Sequence, residues 1–201
     1  MIKNIIFDLG NVLITFKPEY FLLKYTDNQE KINFFINKII HSSAWLEMDK
    51  GMRSVKSARI FFTEKFKTKK SIINFFFDNW MDIFTPIQEN VQILNDLDNK
   101  GYNCYYLSNF IEEAYKYVIK KFDFFSIFKG GIVSALVKMI KPEKEIYSTL
   151  LIKYRLDPQE CVFIDDIMGF LQPAKKMGLK AIHYTANCNL RENLKQLGII
   201  I

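Results

Sequence analysis

Three short apolar runs, each ending in a chemically active side chain, constrain this 201-residue chain more than any other feature. "NIIFD" delivers Asp8, "YYLSN" delivers Ser108 and Asn109, and "CVFIDD" delivers Asp165 and Asp166. Runs this short, rich in β-branched and aromatic residues and bounded by turn formers, read as buried strands. The expected strands are Ile2–Phe7, Tyr102–Leu107, Cys161–Ile164 and Ala181–Tyr184, with a weaker candidate at Gly131–Ser134. Helical patterns lie between them at Ile87–Asn99, Ile111–Phe122, Glu143–Tyr154 and Leu171–Met177, and Gly101 and Gly178 stand where helix C-caps are expected. Strands alternating with helices from about residue 87 onward predict an α/β fold with a Rossmann-like, doubly wound parallel sheet.

The interval from 16 to 85 has no strand-like alternation. It carries four helical patterns, around Tyr20–Tyr25, Glu30–Ile40, Val55–Phe66 and Ser71–Phe84. An all-helical insertion straight after the first strand reads as a cap, with residues 1–15 and 86–201 forming the core. Open α/β sheets bind ligands at the carboxyl edge of their strands, which is where Asp8 is expected. The aromatic stretch "SIINFFFDNWMDIF" is expected to pack the cap's interior.

A single aspartate after a strand is ordinarily a turn residue or a helix cap. The Asp165–Asp166 pair is harder to treat so, because adjacent carboxylates repel unless a cation or donor is near. Lys141, in "IKPEKEIY", precedes a helix opened by Pro142. Together these residues suit phosphoryl chemistry. Asp8 is the expected nucleophile. Magnesium is the expected cofactor, with Asp8, the Gly10 carbonyl and Asp166 as ligands and Asp165 as a further acidic neighbour. Lys141 supplies positive charge to the transferring group and orients Asp8, while Ser108 and Asn109 are expected to bind phosphoryl oxygens.

Composition narrows the partners. The net charge of +6 is spread along the chain among acids, with no basic cluster interleaved with aromatics, so nucleic acid is not expected. Three scattered cysteines and two histidines do not make a zinc cage. Cys104 and Cys161 fall in expected core strands as small hydrophobes, and His183 as a packed or edge residue. No apolar run approaches the roughly 20 residues that span a bilayer. A cytoplasmic protein, monomeric or a homodimer, acting on a small phosphorylated metabolite is the expectation.

The motifs "FDLGNVL", "LSN", "KPEKEIY" and "FIDD…PAKKMGL", in this order, resemble those of the haloacid dehalogenase superfamily of hydrolases with a helical cap after the first motif. "AWLEMDKGMRSVKSARIFF" is similar to a cap segment of that group. "FDLGNV" is most similar to phosphatases acting on glucose 1-phosphate, and "FIDDI…QPAKKMGL" also resembles the amino-terminal phosphatase domain of soluble epoxide hydrolases. The resemblance implies Asp8 as nucleophile, magnesium, and small phosphate esters as substrates. Two positions depart from the pattern. Gly10 stands where most phosphatases of the superfamily carry a general acid–base aspartate, a group worth about 10²–10⁴-fold. That loss matters least for easily departing leaving groups, so a sugar 1-phosphate is favoured. Phe170 stands where an Asn or Asp usually supports the metal site, which matters by about 10–100-fold. Two alternatives remain: dehalogenation of a 2-halo acid by Asp8 without metal, and a non-catalytic member that binds a phosphorylated ligand or a partner.

Overall fold

A strand whose residues are closed to solvent on both faces has to lie inside a sheet, and Ile5, Ile6 and Phe7 are all fully buried. The computed structural model describes residues 1–201. In it β1 (Asn4–Phe7), β2 (Asn103–Ser108), β3 (Gly130–Val133), β4 (Cys161–Asp165) and β5 (Lys180–His183) form one parallel sheet in the order β3-β2-β1-β4-β5. All five strands were legible in the sequence, the weak candidate at Gly131 included. Register is what assembles the site. Phe7 lies opposite Tyr106 on one side and Ile164 on the other, so the residues following all three strands emerge along one edge.

Between β1 and β2 the chain builds α1 (Pro18–Leu22), α2 (Gln29–Phe35), α3 (Ser43–Asp49), α4 (Val55–Lys65), α5 (Lys70–Asn79) and α6 (Gln88–Asn99). The first five belong to the helical insertion between β1 and β2. Two linkers tie this insertion to the sheet, with Thr15 N–H donating to Thr85 O and Ile87 N–H to Leu13 O, each at 2.8 Å. Its interior is aromatic: Phe76, Phe77 and Trp80 pack with Trp45, the two indoles 6.2 Å apart edge-on.

Beyond β2 come α7 (Glu112–Lys121), a short α8 (Ser134–Val137), α9 (Lys144–Tyr154), α10 (Met168–Lys176) and α11 (Leu190–Gln196). The two-residue period of β1 sorts them into layers. Ile5 and Phe7 join a core with Ile93 and Leu97 of α6, Val118 of α7 and Leu194 of α11, whereas Ile6 faces Tyr147 and Leu150 of α9 and Leu171 of α10.

Several elements differ from expectation. The helix read as Glu30–Ile40 turns π-helical over Ile36–Ile40, a wider turn that keeps both Ile36 and Ile39 buried. The pattern read as Ser71–Phe84 ends as an α-helix at Asn79 and continues as a 3₁₀ turn over Trp80–Ile83. α10 starts at Met168, three residues early, because packing of Leu171 and Ala174 carries the helix through Gly169 and Pro173. α3 and α11 were not anticipated. Each is seven residues long and is set by its cap, Ser42 accepting from Trp45 N–H and Asn189 from Glu192 N–H.

Candidate active site

Asp8 is the first residue past β1. Its N–H still donates to Ile164 O at 2.8 Å, while its side chain lines the pocket between sheet and cap. The two carboxylate oxygens are treated differently. Oδ1 is held by the Leu9 N–H at 2.7 Å and by Lys141 Nζ at 3.0 Å. Oδ2 accepts no hydrogen bond from the protein.

The turn after Asp8 sets the next two positions. The N–H groups of Val12, Leu13 and Ile14 all converge on Leu9 O, which leaves the Gly10 carbonyl accepting no hydrogen bond. Asn11 takes a φ of +52°, a left-handed conformation that asparagine tolerates. From there its Nδ2 donates to Asp166 Oδ2 at 3.3 Å, while its Oδ1 accepts from Phe16 N–H at 2.9 Å. Asn11 therefore supplies the support for Asp166 that Phe170 cannot.

Lys141 is completely buried. Its Nζ lies 2.6 Å from Asp165 Oδ2, and the rings of Phe170 and Phe163 sit 5.0 and 5.4 Å from it. Burial pulls the ammonium's pKa down, but the charges of Asp8 and Asp165 and their hydrogen bonds outweigh it and hold the pKa above the usual lysine range. Asn109 clasps the lysine's backbone: Lys141 N–H donates to Asn109 Oδ1 at 2.8 Å, and Asn109 Nδ2 donates back to Lys141 O at 3.0 Å.

Five of the seven expected site residues, Asp8, Gly10, Asn109, Lys141 and Asp166, line one pocket, Ser108 and Asp165 are buried outside its lining, and two have contacts the sequence did not suggest. Asn109, expected on a phosphoryl oxygen, positions Lys141. Asp165, expected beside the metal, has both oxygens engaged, Oδ2 by Lys141 and Oδ1 by the Ile167 N–H at 2.8 Å. Burial first, then the charge of Asp8, pushes the Asp165 carboxyl upward. Asp166 is raised as well, by burial and by Asp8, against the Asn11 hydrogen bond. Ser108 Oγ is buried without any hydrogen-bond partner.

Asp8, Asp165 and Asp166 each bring one oxygen within 4.8 Å of the others, against a single ammonium. With the free Gly10 carbonyl, this is a hard, all-oxygen donor set with surplus negative charge, and it fits magnesium.

The cavity above has a volume of about 390 Å³. Sequence reasoning missed its walls and one acid. Trp45, Phe84 and Phe110 contribute apolar surface, and Asp49, at the end of α3, brings a fourth carboxylate. The signal for Asp49 was its place four residues after Trp45, on the same helical face. His183 stays out of the chemistry, its Nε2 contacting Asp166 O at 3.0 Å from the edge strand.

A nucleophile-type carboxylate, a buried lysine and an acidic donor set at the carboxyl edge of a doubly wound sheet, under a helical cap, define a capped α/β hydrolase. Residues 2–178 match the family of haloacid dehalogenase-like hydrolases, and the chain belongs to it. It is 24% identical to the sesquiterpene phosphatase astK of Aspergillus oryzae over 97% of this chain and 96% of that one. It is also 46% identical to the mouse bifunctional epoxide hydrolase 2, over 33% of this chain and 12% of that protein. A family enzyme from Bacteroides thetaiotaomicron, solved with magnesium and inorganic phosphate, superposes with a TM-score of 0.76 at 24% identity, covering 96% of this chain and 99% of that one. No helix is long and apolar enough to cross a membrane.

Proposed function

We propose that this protein is a magnesium-dependent phosphatase of a small phosphorylated metabolite that works through an aspartyl-phosphate on Asp8. The observation that carries the reading is the division of labour within the Asp8 carboxylate: one oxygen tied to Leu9 and Lys141, the other without a protein donor, on a residue that lines the pocket. Asp8 Oδ2 attacks phosphorus and the ester oxygen leaves; water then cleaves the acyl phosphate and releases orthophosphate. Lys141 holds Asp8 in register and offers its charge to the phosphoryl oxygens, Ser108 donates to one of them, and Asn109 keeps Lys141 in place. Asp8, Asp166 and the Gly10 carbonyl would hold magnesium, which would supply charge neutralisation for the phosphoryl group. The Bacteroides relative, with magnesium and phosphate bound, and the Aspergillus phosphatase support this reading.

Two substrate classes divide the finer question. A sugar 1-phosphate is favoured by its good leaving group, which tolerates the loss of an acid at Gly10. A phosphate ester with an apolar organic group is favoured by the Trp45, Phe84 and Phe110 walls, and the Aspergillus relative is named a sesquiterpene phosphatase. Dehalogenation fits less well, because it needs no metal, whereas the clustered Asp8, Asp165 and Asp166 favour a metal-dependent route.

The test is phosphate release from glucose 1-phosphate, hexyl phosphate and farnesyl phosphate, with and without magnesium, for wild type and Asp8→Asn. Magnesium-dependent release lost in the variant supports the phosphatase. Halide release from 2-chloropropionate without magnesium, and no phosphate from any ester, replaces it with the dehalogenase. Phosphate binding without either reaction leaves the non-catalytic reading.

A further inference from the structure

Gly10 leaves the phosphoryl-transfer site without the proton donor that an alcohol leaving group needs, and the cap places a carboxyl over the same pocket. We propose that Asp49 is the general acid and base of this site, supplied by the cap in place of the residue missing at position 10. The proposal rests on the phosphatase reading above.

Three observations carry it. Asp49 ends α3 and lines the cavity together with Asp8, Gly10, Lys141 and Asp166. Its carboxylate has no ion-pair or hydrogen-bond partner, although its charged neighbours are paired, Glu47 with Arg53 and Lys50 with Glu143, each at 2.6 Å. Its backbone is pinned to the core. Ser134 Oγ donates to Asp49 O and accepts from Phe110 N–H at 2.9 Å, and Lys138 Nζ donates to Gly51 O. Gly51 makes this approach possible. Its φ of +65° and its contact with the Ala135 carbonyl leave no room for a Cβ. The free acid thus sits on a cap segment tied to the elements that follow β2 and β3.

Asp49 is partly exposed within the pocket, and burial raises its carboxyl to about 7 against the pull of Lys141. The groups facing it are Lys141, Asp8 and Asp166 across the pocket, Lys138 from the segment after α8, and the two ion pairs beside it. An acid near neutrality can both give and take a proton at working pH.

The steps balance as follows. Asp8 Oδ2 forms a bond to phosphorus as the P–O bond to the organic group breaks, and the departing oxygen takes the proton of the Asp49 carboxyl. The Asp49 carboxylate then takes a proton from water as the water oxygen bonds to phosphorus. The P–O bond to Asp8 breaks, orthophosphate leaves, and Asp49 is protonated again.

The experiment compares wild type, Asp49→Asn, and the double variant Asp49→Asn with Gly10→Asp, on p-nitrophenyl phosphate and hexyl phosphate with magnesium. A Cβ added at Gly10 meets no atom within 4 Å, so the backbone there has room for a side chain to begin. For Asp49→Asn, kcat/KM is expected to fall about 10²–10³-fold on hexyl phosphate and less than tenfold on p-nitrophenyl phosphate, whose leaving group needs no proton. Slow hydrolysis of the phosphoenzyme should then give a burst of p-nitrophenol stoichiometric with protein. The double variant should regain at least tenfold on hexyl phosphate. Equal losses on both esters without a burst, or a change in KM alone, overturn the proposal and make Asp49 a substrate contact. Failure of the phosphatase reading looks different: wild type then releases phosphate from neither ester, and both proposals fall.

Discussion

Lys141 Nζ and Asp165 Oδ2 stand 2.6 Å apart with neither side chain reaching solvent, and the same ammonium holds Asp8 at 3.0 Å. The pair links the strand end of β4 to the nucleophile through one buried charge. Removing one partner from a buried pair leaves the other uncompensated, typically at about 3–5 kcal/mol. Asp165→Ala is therefore expected to lose that much stability in urea unfolding, and to lose activity because Lys141 is freed from its position. A loss under about 1 kcal/mol would show that Asp8 alone suffices to hold the lysine.

The acidic donor set should respond to metal even without substrate. Binding to the folded state alone stabilises by about 2.7 kcal/mol at a hundredfold excess over Kd. Magnesium is expected to raise the melting temperature of wild type and leave Asp166→Asn unmoved, since Asp166 keeps an oxygen that no protein donor holds. An equal shift in both proteins would place the ion elsewhere.

Ser108→Ala separates binding from folding. The hydroxyl is buried and unpaired, so its removal should leave stability unchanged or raise it by up to about 1 kcal/mol. Inhibition by orthophosphate should weaken about tenfold, the value of a hydrogen bond to a charged group near 1.5 kcal/mol. Unchanged inhibition would remove Ser108 from the phosphate site.

Asp49 also makes stability depend on pH in a definite direction. Its carboxyl moves from 3.8 when unfolded to about 7 when folded. Between these values the folded state binds more protons than the unfolded one, so stability falls as pH rises and the full penalty is present above about 7. Asp49→Asn is expected to be more stable than wild type at pH 8 and to converge with it near pH 4, in urea unfolding with chelator present. A constant difference across that range would mean that the carboxyl does not titrate there.

The strands and the longer core helices were legible because each carries its own periodicity and stop signals, and β1's neighbours follow from three runs that end in polar residues. Within the cap α3 was not, because it takes its start from Ser42 and the packing of Trp45, which no seven-residue pattern reveals. The same holds within the site. Residue types placed Asp8, Lys141 and Asp166, while the register of β1 against β4 and the left-handed turn at Asn11 decided which oxygen each side chain offers. Asn109 and Asp165 took supporting positions because their partners come from distant segments, the backbone and ammonium of Lys141.

The apolar walls of the cavity give the substrate question a quantitative form. Burying one methylene is worth about 0.8 kcal/mol, or roughly fourfold in affinity. Across ethyl, butyl, hexyl and octyl phosphate, KM is therefore expected to fall by about an order of magnitude for every two carbons, until the cavity of about 390 Å³ is filled. Phosphorus chemistry is the same along the series, so kcat should change little while KM carries the trend. Leu46, exposed at the rim of the same cavity, marks where a longer chain would emerge into solvent and the trend should flatten. Trp45→Ala should blunt the slope by opening the wall, although a loss of cap stability will accompany it because the indole also packs on Phe76 and Trp80. A flat series, with glucose 1-phosphate turned over at a lower KM than any alkyl ester, would assign the aromatic walls to cap packing alone and return the substrate to the sugar phosphates.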